Sequence, residues 1–371
     1  MSLAKWSLSL GRIAGVRLRL HWTFLILVLW IFIAYYRVSY NLGDATTGVL
    51  FILAIFGCVI LHELGHALMA GRFGVVTRDI LLLPIGGVAS MDNIPEKPGQ
   101  ELLIALAGPA VNLVISIVLF TYLKLSGQMP SLEGLFGLGL GIDLTSAGNQ
   151  FLFNVMFANI ILAVFNLVPA FPMDGGRVLR AALAFSMSHV RATTIAARMG
   201  QVLAVVFVFL GFYGNFMLVF IGLFIFLGAA AEDSQEKSKH FLAGYGVKDA
   251  LMKKFTMLAP NDTLGIAVKA LLNSQETEFL VGEGNNVVGV LTRNALIKAL
   301  SESGNEAKVS AAMEKGYVRL NADQKIHDAQ NKLLASGLAL APVFEKNQLL
   351  GVVDLTNVSE LMLVNKALKS G

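Results

Sequence analysis

Two histidines and a glutamate stand together at His62-Glu63-Leu64-Gly65-His66, inside an otherwise apolar stretch. On a helix, residues four apart share a face. His62 and His66 can then offer ring nitrogens to one metal ion, with Glu63 beside them to take a proton from a water on that metal. Zinc lowers the pKa of such a water to about 7, so hydroxide is available at neutral pH. Catalytic zinc sites commonly use three protein ligands and keep a position open, so one ligand must come from elsewhere. Ionisable side chains within lipid are costly and are usually functional. A bound cation removes much of that cost for three such residues with no basic partner in the same stretch.

The third ligand should be an Asp, Glu or His at the same depth. His66 stands six residues before Arg72, which puts the pair on the order of 10–15 Å inside the membrane boundary. Asp174 is the acidic residue at the matching end of a later apolar run. It follows Asn166-Leu-Val-Pro169-Ala-Phe-Pro172-Met173 and precedes Gly175-Gly176. Two prolines interrupt a helix there, and two glycines permit unusual backbone. Non-helical backbone at such depth is tolerated only against protein or a water-filled cavity.

Asn159 and Asn166 share a face of the same run. Asn166 is expected to line the cavity and support a developing oxyanion; Asn159 is expected to hydrogen-bond between helices. Cys58, one turn from His62, lies too far along to be a ligand and reads as a small buried hydrophobe. His21 and His189 read as interfacial residues.

The elements that must carry these groups follow from composition. The chain has 371 residues, is 55% hydrophobic and only 15% charged, against about a quarter charged in a soluble chain. Six apolar runs are long enough to be read as spans: 21–36, 47–70, 101–124, 151–172, 192–211 and 214–230. Lys5, Arg12, Arg17, Arg19, Arg72, Arg78, Lys97, Arg177, Arg180 and Arg191 fall on one side; Arg37 and Lys124 fall on the other. The positive-inside bias therefore puts the N-terminus, the 71–100 loop, the 173–191 segment and the C-terminus in the cytoplasm. The loop Thr77–Asp92 reads as a membrane-dipping hairpin whose edge could pair with an unwound peptide. Net charge is +4 with no long basic block, which argues against nucleic acid as a partner. The single cysteine rules out an internal disulfide.

Residues 232–371 have an ordinary soluble composition and repeat themselves with a period near 61–62 residues. Val247-Lys-Asp-Ala-Leu-Met252 echoes Val309-Ser-Ala-Ala-Met313, Asp262 echoes Asp323, and Gly289-Val-Leu-Thr292 echoes Gly351-Val-Val-Asp354. Such self-similarity argues for two copies of one supersecondary unit packed together.

Across roughly residues 12–230 the chain resembles the site-2 protease family of intramembrane metalloproteases. The motifs that carry this are His62-Glu63-Leu-Gly-His66 and Asn166…Pro169…Pro172-Met-Asp174-Gly175-Gly176. Leu20-His21-Trp22, Gly86-Gly87-Val88-Ala89 and Gly108-Pro109-Ala110-Val111-Asn112 support it. The resemblance implies His62, His66 and Asp174 as ligands of one zinc ion per chain, Glu63 as catalytic base and Asn166 in an oxyanion or substrate-orienting role. The C-terminal repeats resemble tandem CBS modules, which often bind adenine nucleotides through Gly-hydrophobic-hydrophobic-Thr/Ser-x-x-Asp. Ala295 and Asn357 replace the Asp in the two copies, and Asp354 replaces the Thr in the second. These departures put nucleotide binding in doubt and leave a structural or homodimerising role.

The expectation is thus a polytopic α-helical membrane protein of about six transmembrane helices with a C-terminal α/β tandem CBS domain. Its parts are a protease domain at 1–231, a linker at 232–245 and the CBS pair at 246–371. It should sit in the cell membrane, with N-terminus and CBS pair cytoplasmic, and cut membrane-protein substrates in or near their transmembrane segments under CBS control. A transporter or channel with CBS sensors is the alternative. That class needs no base between two metal ligands and should show repeat symmetry between its halves, which this chain lacks.

Overall fold

The structure is a computed structural model and describes residues 6–84, 86–91, 95, 97–127, 129, 149–274 and 276–370. It divides into a unit spanning Leu3–Glu236 and a second spanning Lys237–Gly371.

Residues 7–21 were given no strand expectation, yet they form a hairpin, β1 (Ser7–Ile13) and β2 (Val16–His21). Its two-residue turn, Ala14-Gly15, has φ of 51° and 84°, the conformation that matches the twist of antiparallel strands. Strand β2 pairs in parallel with β3 (Thr77–Leu83), and β3 pairs antiparallel with β4 (Gly86–Met91). The sheet order is β1-β2-β3-β4, so β4 is an edge. The expected hairpin at 77–92 is therefore built into a four-stranded sheet; Ile85 and Asp92 lie outside the described residues.

The helices of this unit are α1 (Thr23–Ser39), α2 (Leu42–Arg72), α3 (Pro98–Leu125), α4 (Asn149–Asn166), α5 (Asp174–Ala184), α6 (His189–Tyr213) and α7 (Met217–Leu242). Asn41 caps α2, its Oδ1 accepting from the Gly43 amide at 2.8 Å. Pro98 opens α3, where its missing N–H costs no helical bond. Among the described residues, α2, α3, α6 and α7 are long and apolar enough to cross a membrane, while α1 and residues 150–166 form shorter apolar helices. Their outward faces carry Leu29, Trp30, Val114, Ile117, Val205 and Phe209, all exposed. So much exposed apolar surface suits lipid rather than water. Polar side chains are turned inward: His62, His66, Glu101, Asn112, Asn159, Asp174 and Arg180 are all buried.

The second unit holds the two repeats. The first contains β5 (Met257–Leu258), α8 (Leu264–Asn273), β6 (Glu278–Glu283), β7 (Asn286–Thr292) and α9 (Arg293–Ser303). The second contains α10 (Val309–Ala312), β8 (Leu320–Asn321), α11 (Ile326–Ser336), β9 (Leu340–Glu345), β10 (Gln348–Asp354) and α12 (Leu355–Ser370). Each makes a three-stranded sheet, β5-β6-β7 and β10-β9-β8. The copies exchange lead-in segments. Met252, ahead of the first sheet, trades backbone hydrogen bonds with Val352 of the second at 2.8 and 3.0 Å; Glu314 does the same with Val290 of the first. This explains the glycine in each repeated Gly-Val-hydrophobic segment. A Cβ at Gly351 would stand 2.3 Å from the Met252 carbonyl oxygen, and one at Gly289 would stand 2.6 Å from that of Glu314.

Candidate metal centre

Helix α2 carries His62 and His66 one turn apart on its inward face, 6% and 3% exposed. Both ring nitrogens of each histidine are engaged. His66 Nδ1 lies 2.7 Å from the Ile104 carbonyl of α3. A carbonyl can only accept, so Nδ1 carries a proton, and in the neutral ring Nε2 keeps its lone pair. Asn112 Oδ1, also from α3, plays the same part for His62 Nδ1 at 3.0 Å.

The two Nε2 atoms converge with Asp174 Oδ2. The three separations are 3.1 Å between the nitrogens, 3.2 Å from His62 to Asp174 and 3.0 Å from His66 to Asp174. Among the described residues this trio is the one cluster whose donor atoms could hold a metal ion. With both rings neutral, two imidazole lone pairs and a carboxylate oxygen facing one another repel unless a cation lies between them. Tetrahedral zinc with bonds of about 2.0–2.1 Å needs ligand separations of about 3.3–3.4 Å. The donor set and its dimensions fit that ion.

Local backbone explains how Asp174 arrives. Helix α4 ends at Asn166 and α5 begins at Asp174, with a non-helical stretch between, as the two prolines predict. The glycines act differently from expectation. Gly175 and Gly176 are helical, so no unusual backbone is involved. They permit close approach: a Cβ at Gly175 would lie 2.2 Å from the Val168 carbonyl oxygen, and one at Gly176 would lie 2.6 Å from the Phe171 nitrogen. The first turn of α5 thus folds tightly on the chain that precedes it.

A cavity of about 510 Å³ opens onto the trio, lined also by Glu63, Gly87, Asn112, Asn166, Arg177 and Phe224. Gly87 on edge strand β4 brings the sheet against α2; a Cβ there would stand 2.8 Å from Glu63 Cγ. The two asparagines of α4 part company. Asn159 is buried, its Nδ2 donating to the Val155 carbonyl at 2.8 Å and to Cys58 Sγ at 3.3 Å. The expected interhelical bond is thus made to a sulfur, and Cys58 is buried and free. Asn166 is half-buried and lines the cavity.

Three contributors escaped the sequence reading. Asn112 and the Ile104 carbonyl orient the histidines, and Gly108 lets α3 reach them. A Cβ at Gly108 would stand 2.2 Å from His66 Nε2 and 2.6 Å from His62 Nε2. The signal was the segment Gly108-Pro109-Ala110-Val111-Asn112, which supports the family resemblance but was given no role. His189, read as interfacial, is bound by Glu101 and Glu236. His21 pairs locally with the Thr23 hydroxyl at 2.8 Å. In the second unit, Thr292 Oγ1 caps α9 by accepting from the Ala295 amide, and Asp354 Oδ1 accepts from the Thr356 amide.

Residues 50–211 match the profile of Peptidase family M50, and residues 247–302 and 309–364 each match that of the CBS domain. A zinc metalloprotease of Methanocaldococcus jannaschii is 31% identical over 360 residues, 97% of either chain. Stage IV sporulation protein FB of Bacillus subtilis is 27% identical over 140 residues, covering 37% of this chain and 42% of that one. Among solved structures, a site-2 protease from Methanocaldococcus jannaschii covers 62% of this chain and 95% of its own, at 36% identity and a TM-score of 0.44.

Proposed function

The chain is a member of peptidase family M50, a membrane-embedded zinc metalloprotease with a C-terminal CBS pair, and from that premise we propose that His62, His66 and Asp174 hold its zinc, with Glu63 as base. The observation that carries this reading is the convergence of three lone-pair donors within 3.0–3.2 Å of one another in a buried setting. Zinc bound there supplies a Lewis acid for the scissile carbonyl and lowers the pKa of water to about 7.

The residues of the chain divide the remaining work. Ile104 and Asn112 hold the protons on the Nδ1 atoms, so both Nε2 lone pairs stay available. Glu63 takes the proton of the attacking water and passes it to the leaving amine. Asn166, which lines the cavity, supports the oxyanion and orients the peptide. The edge of β4, unpaired among the described residues, offers backbone groups to an extended substrate beside Glu63. Substrates are membrane proteins whose transmembrane segments unwind to reach that edge.

The six apolar runs serve as spans, and the Lys and Arg bias orients them with the N-terminus and the CBS pair in the cytoplasm. The CBS pair modulates the protease, and it is also the surface for a homodimer. Adenine nucleotide is the weaker reading for it, since Thr292 and Asp354 use their side chains as helix caps and no Asp stands at position 295 or 357.

Glu63→Gln tests the assignment. The purified variant should keep one zinc per chain and lose cleavage of a transmembrane substrate that the wild type cuts. Loss of zinc together with activity would give Glu63 to the metal instead, and normal cleavage would remove it from the mechanism.

A further inference from the structure

The mechanism leaves one group of buried charges unused. Arg180, on α5 six residues after Asp174, is 3% exposed, and Glu101, in the first turn of α3, is 1% exposed. Arg180 Nε donates to Glu101 Oε1 at 2.6 Å, and a second guanidinium nitrogen donates to Glu232 Oε1 at 2.6 Å. The other oxygen of Glu101 lies 3.0 Å from His189 Nε2, and His189 Nδ1 lies 2.8 Å from Glu236 Oε1. Both oxygens of Glu101 and both nitrogens of His189 are therefore engaged. Four helices contribute: α3, α5, α6 and α7.

None of these five side chains is among the residues lining the catalytic cavity. Burying charges is costly, and a well-packed apolar cluster often stabilises as much. What the cluster supplies that apolar packing would not is directional bonding, and its position shows where that direction counts. Glu101 stands three residues before Ile104, whose carbonyl holds the His66 ring, and the same helix carries Asn112 against His62. Helix α3 thus sets both histidines, while α5 begins with Asp174. The Arg180–Glu101 bond joins those two helices directly. A slip between them would open the separations of 3.0–3.2 Å among the three donor atoms. Glu232 and Glu236 come from α7, which runs unbroken to Leu242 and carries the chain into the CBS pair.

We propose that the Glu101–Arg180–Glu232 cluster, with His189 and Glu236, positions Asp174 against His62 and His66, and that α7 is the lever by which the CBS pair acts on the metal centre. Arg180 and Glu101 are positioning residues: they touch neither metal nor substrate. The inference rests on the reading of Asp174 as the third ligand and of the CBS pair as a modulator.

The experiment uses the full chain in detergent, with zinc affinity measured by chelator competition and cleavage split into kcat and KM. Arg180→Gln should weaken zinc on the order of 10–100-fold, the range for groups that orient metal ligands. Arg180→Lys, which keeps a donor for Glu101, should recover part of that loss. Glu232→Gln with Glu236→Gln should lower kcat while leaving KM unchanged. Unaltered zinc affinity in Arg180→Gln would overturn the positioning role, as would equal losses in the Lys and Gln variants.

The lever is tested by combination. Gly351→Ala, or the milder Val352→Ala where the former does not fold, perturbs the CBS pair. Its several-fold effect on kcat should shrink below about twofold when Glu232 and Glu236 are both Gln, because coupled changes are not additive. Effects that simply multiply would overturn the lever while leaving CBS modulation standing. No effect of either CBS variant on kcat would overturn both. Full zinc binding by Asp174→Ala would instead remove the ligand reading on which the positioning role depends.

Discussion

The two units use glycine for the same purpose and reach opposite results. In the CBS pair, Gly289 and Gly351 let the lead-in segment of one repeat approach the sheet of the other, and the groups brought together are backbone N–H and C=O that satisfy each other at 2.8–3.0 Å. In the membrane unit, Gly108 and Gly87 let α3 and β4 approach His62, Glu63 and His66. Beside Gly108 the Nε2 lone pairs of neutral His62 and His66 meet the Asp174 carboxylate of α5, and these three acceptors cannot satisfy one another. Matched donors and acceptors give a closed interface. Unmatched acceptors give a site that is complete only with a cation, and a cavity of about 510 Å³ opens beside it. Close approach is thus neutral as to function; the partners it joins decide.

The sharpest way to break this contrast is to fill both kinds of glycine. Gly108→Ala should remove zinc from the purified chain and lower cleavage at least about a hundredfold, since a displacement on the order of 1 Å is enough for that. Gly351→Ala should cost about 1–3 kcal/mol, the usual range for overpacking. It should raise hydrogen exchange at the Met252 and Val352 amides and keep a full complement of zinc. Zinc retained by Gly108→Ala at normal rates, or lost by Gly351→Ala, would erase the distinction.

A smaller effect separates the polar partners of α2. Asn112→Ala removes the acceptor that fixes His62 and should weaken zinc affinity about 10–100-fold. Asn159→Ala, also buried but bonded to Val155 and Cys58, should leave zinc affinity within about twofold. Equal losses in the two variants would mean that burial of an amide in this bundle, rather than its bond to a histidine, holds the site.

Much of the metal centre was legible because its chemistry is written in residue types that lipid penalises. His62, Glu63 and His66 stand out in an apolar run, and Asp174 stands out at a Pro-interrupted helix end. The repeats were legible for a different reason: each copy must present the same glycine to the other. What stayed hidden depends on contacts distant in sequence. The acceptor for His66 is the backbone carbonyl of Ile104, 38 positions away, and a carbonyl carries no signature in a sequence. Arg180 looked like one of several cytoplasmic cations, and only the fold pairs it with Glu101, 79 positions away. The hairpin at 7–21 does carry a strand signal, since Ser7-Leu8-Ser9-Leu10 and Val16-Arg17-Leu18-Arg19-Leu20 alternate on either side of Ala14-Gly15; its arginines were read for membrane orientation and the alternation was passed over.

The smallest expected effect sharpens the contrast from the side of a single carboxylate. Glu278 at the start of β6 accepts the amides of Ala339 and Leu340 at 2.9 and 3.0 Å, both on Oε2. Burial pushes its carboxyl above the ordinary value of 4.5; the two N–H donors pull it down, while Asp354 and Glu314 add to the rise. A carboxyl whose folded pKa lies above its unfolded one binds more protons when folded, so the second unit is favoured below the unfolded pKa and loses stability as pH rises through the folded one. Glu278→Gln keeps a carbonyl acceptor for both amides and removes the charge. At pH 7 the variant should match or exceed the wild type by less than about 1 kcal/mol, because partial solvation screens the group. Amide protection in β6 and β9, followed by hydrogen exchange, should lose its decline between pH 4.5 and neutrality, and zinc content should not change. A variant less protected than the wild type at pH 7 would show that the charge on Glu278 stabilises the loop before β9. The carboxylates of the two units would then differ less than proposed: at Glu63, the same loss of charge is expected to end catalysis.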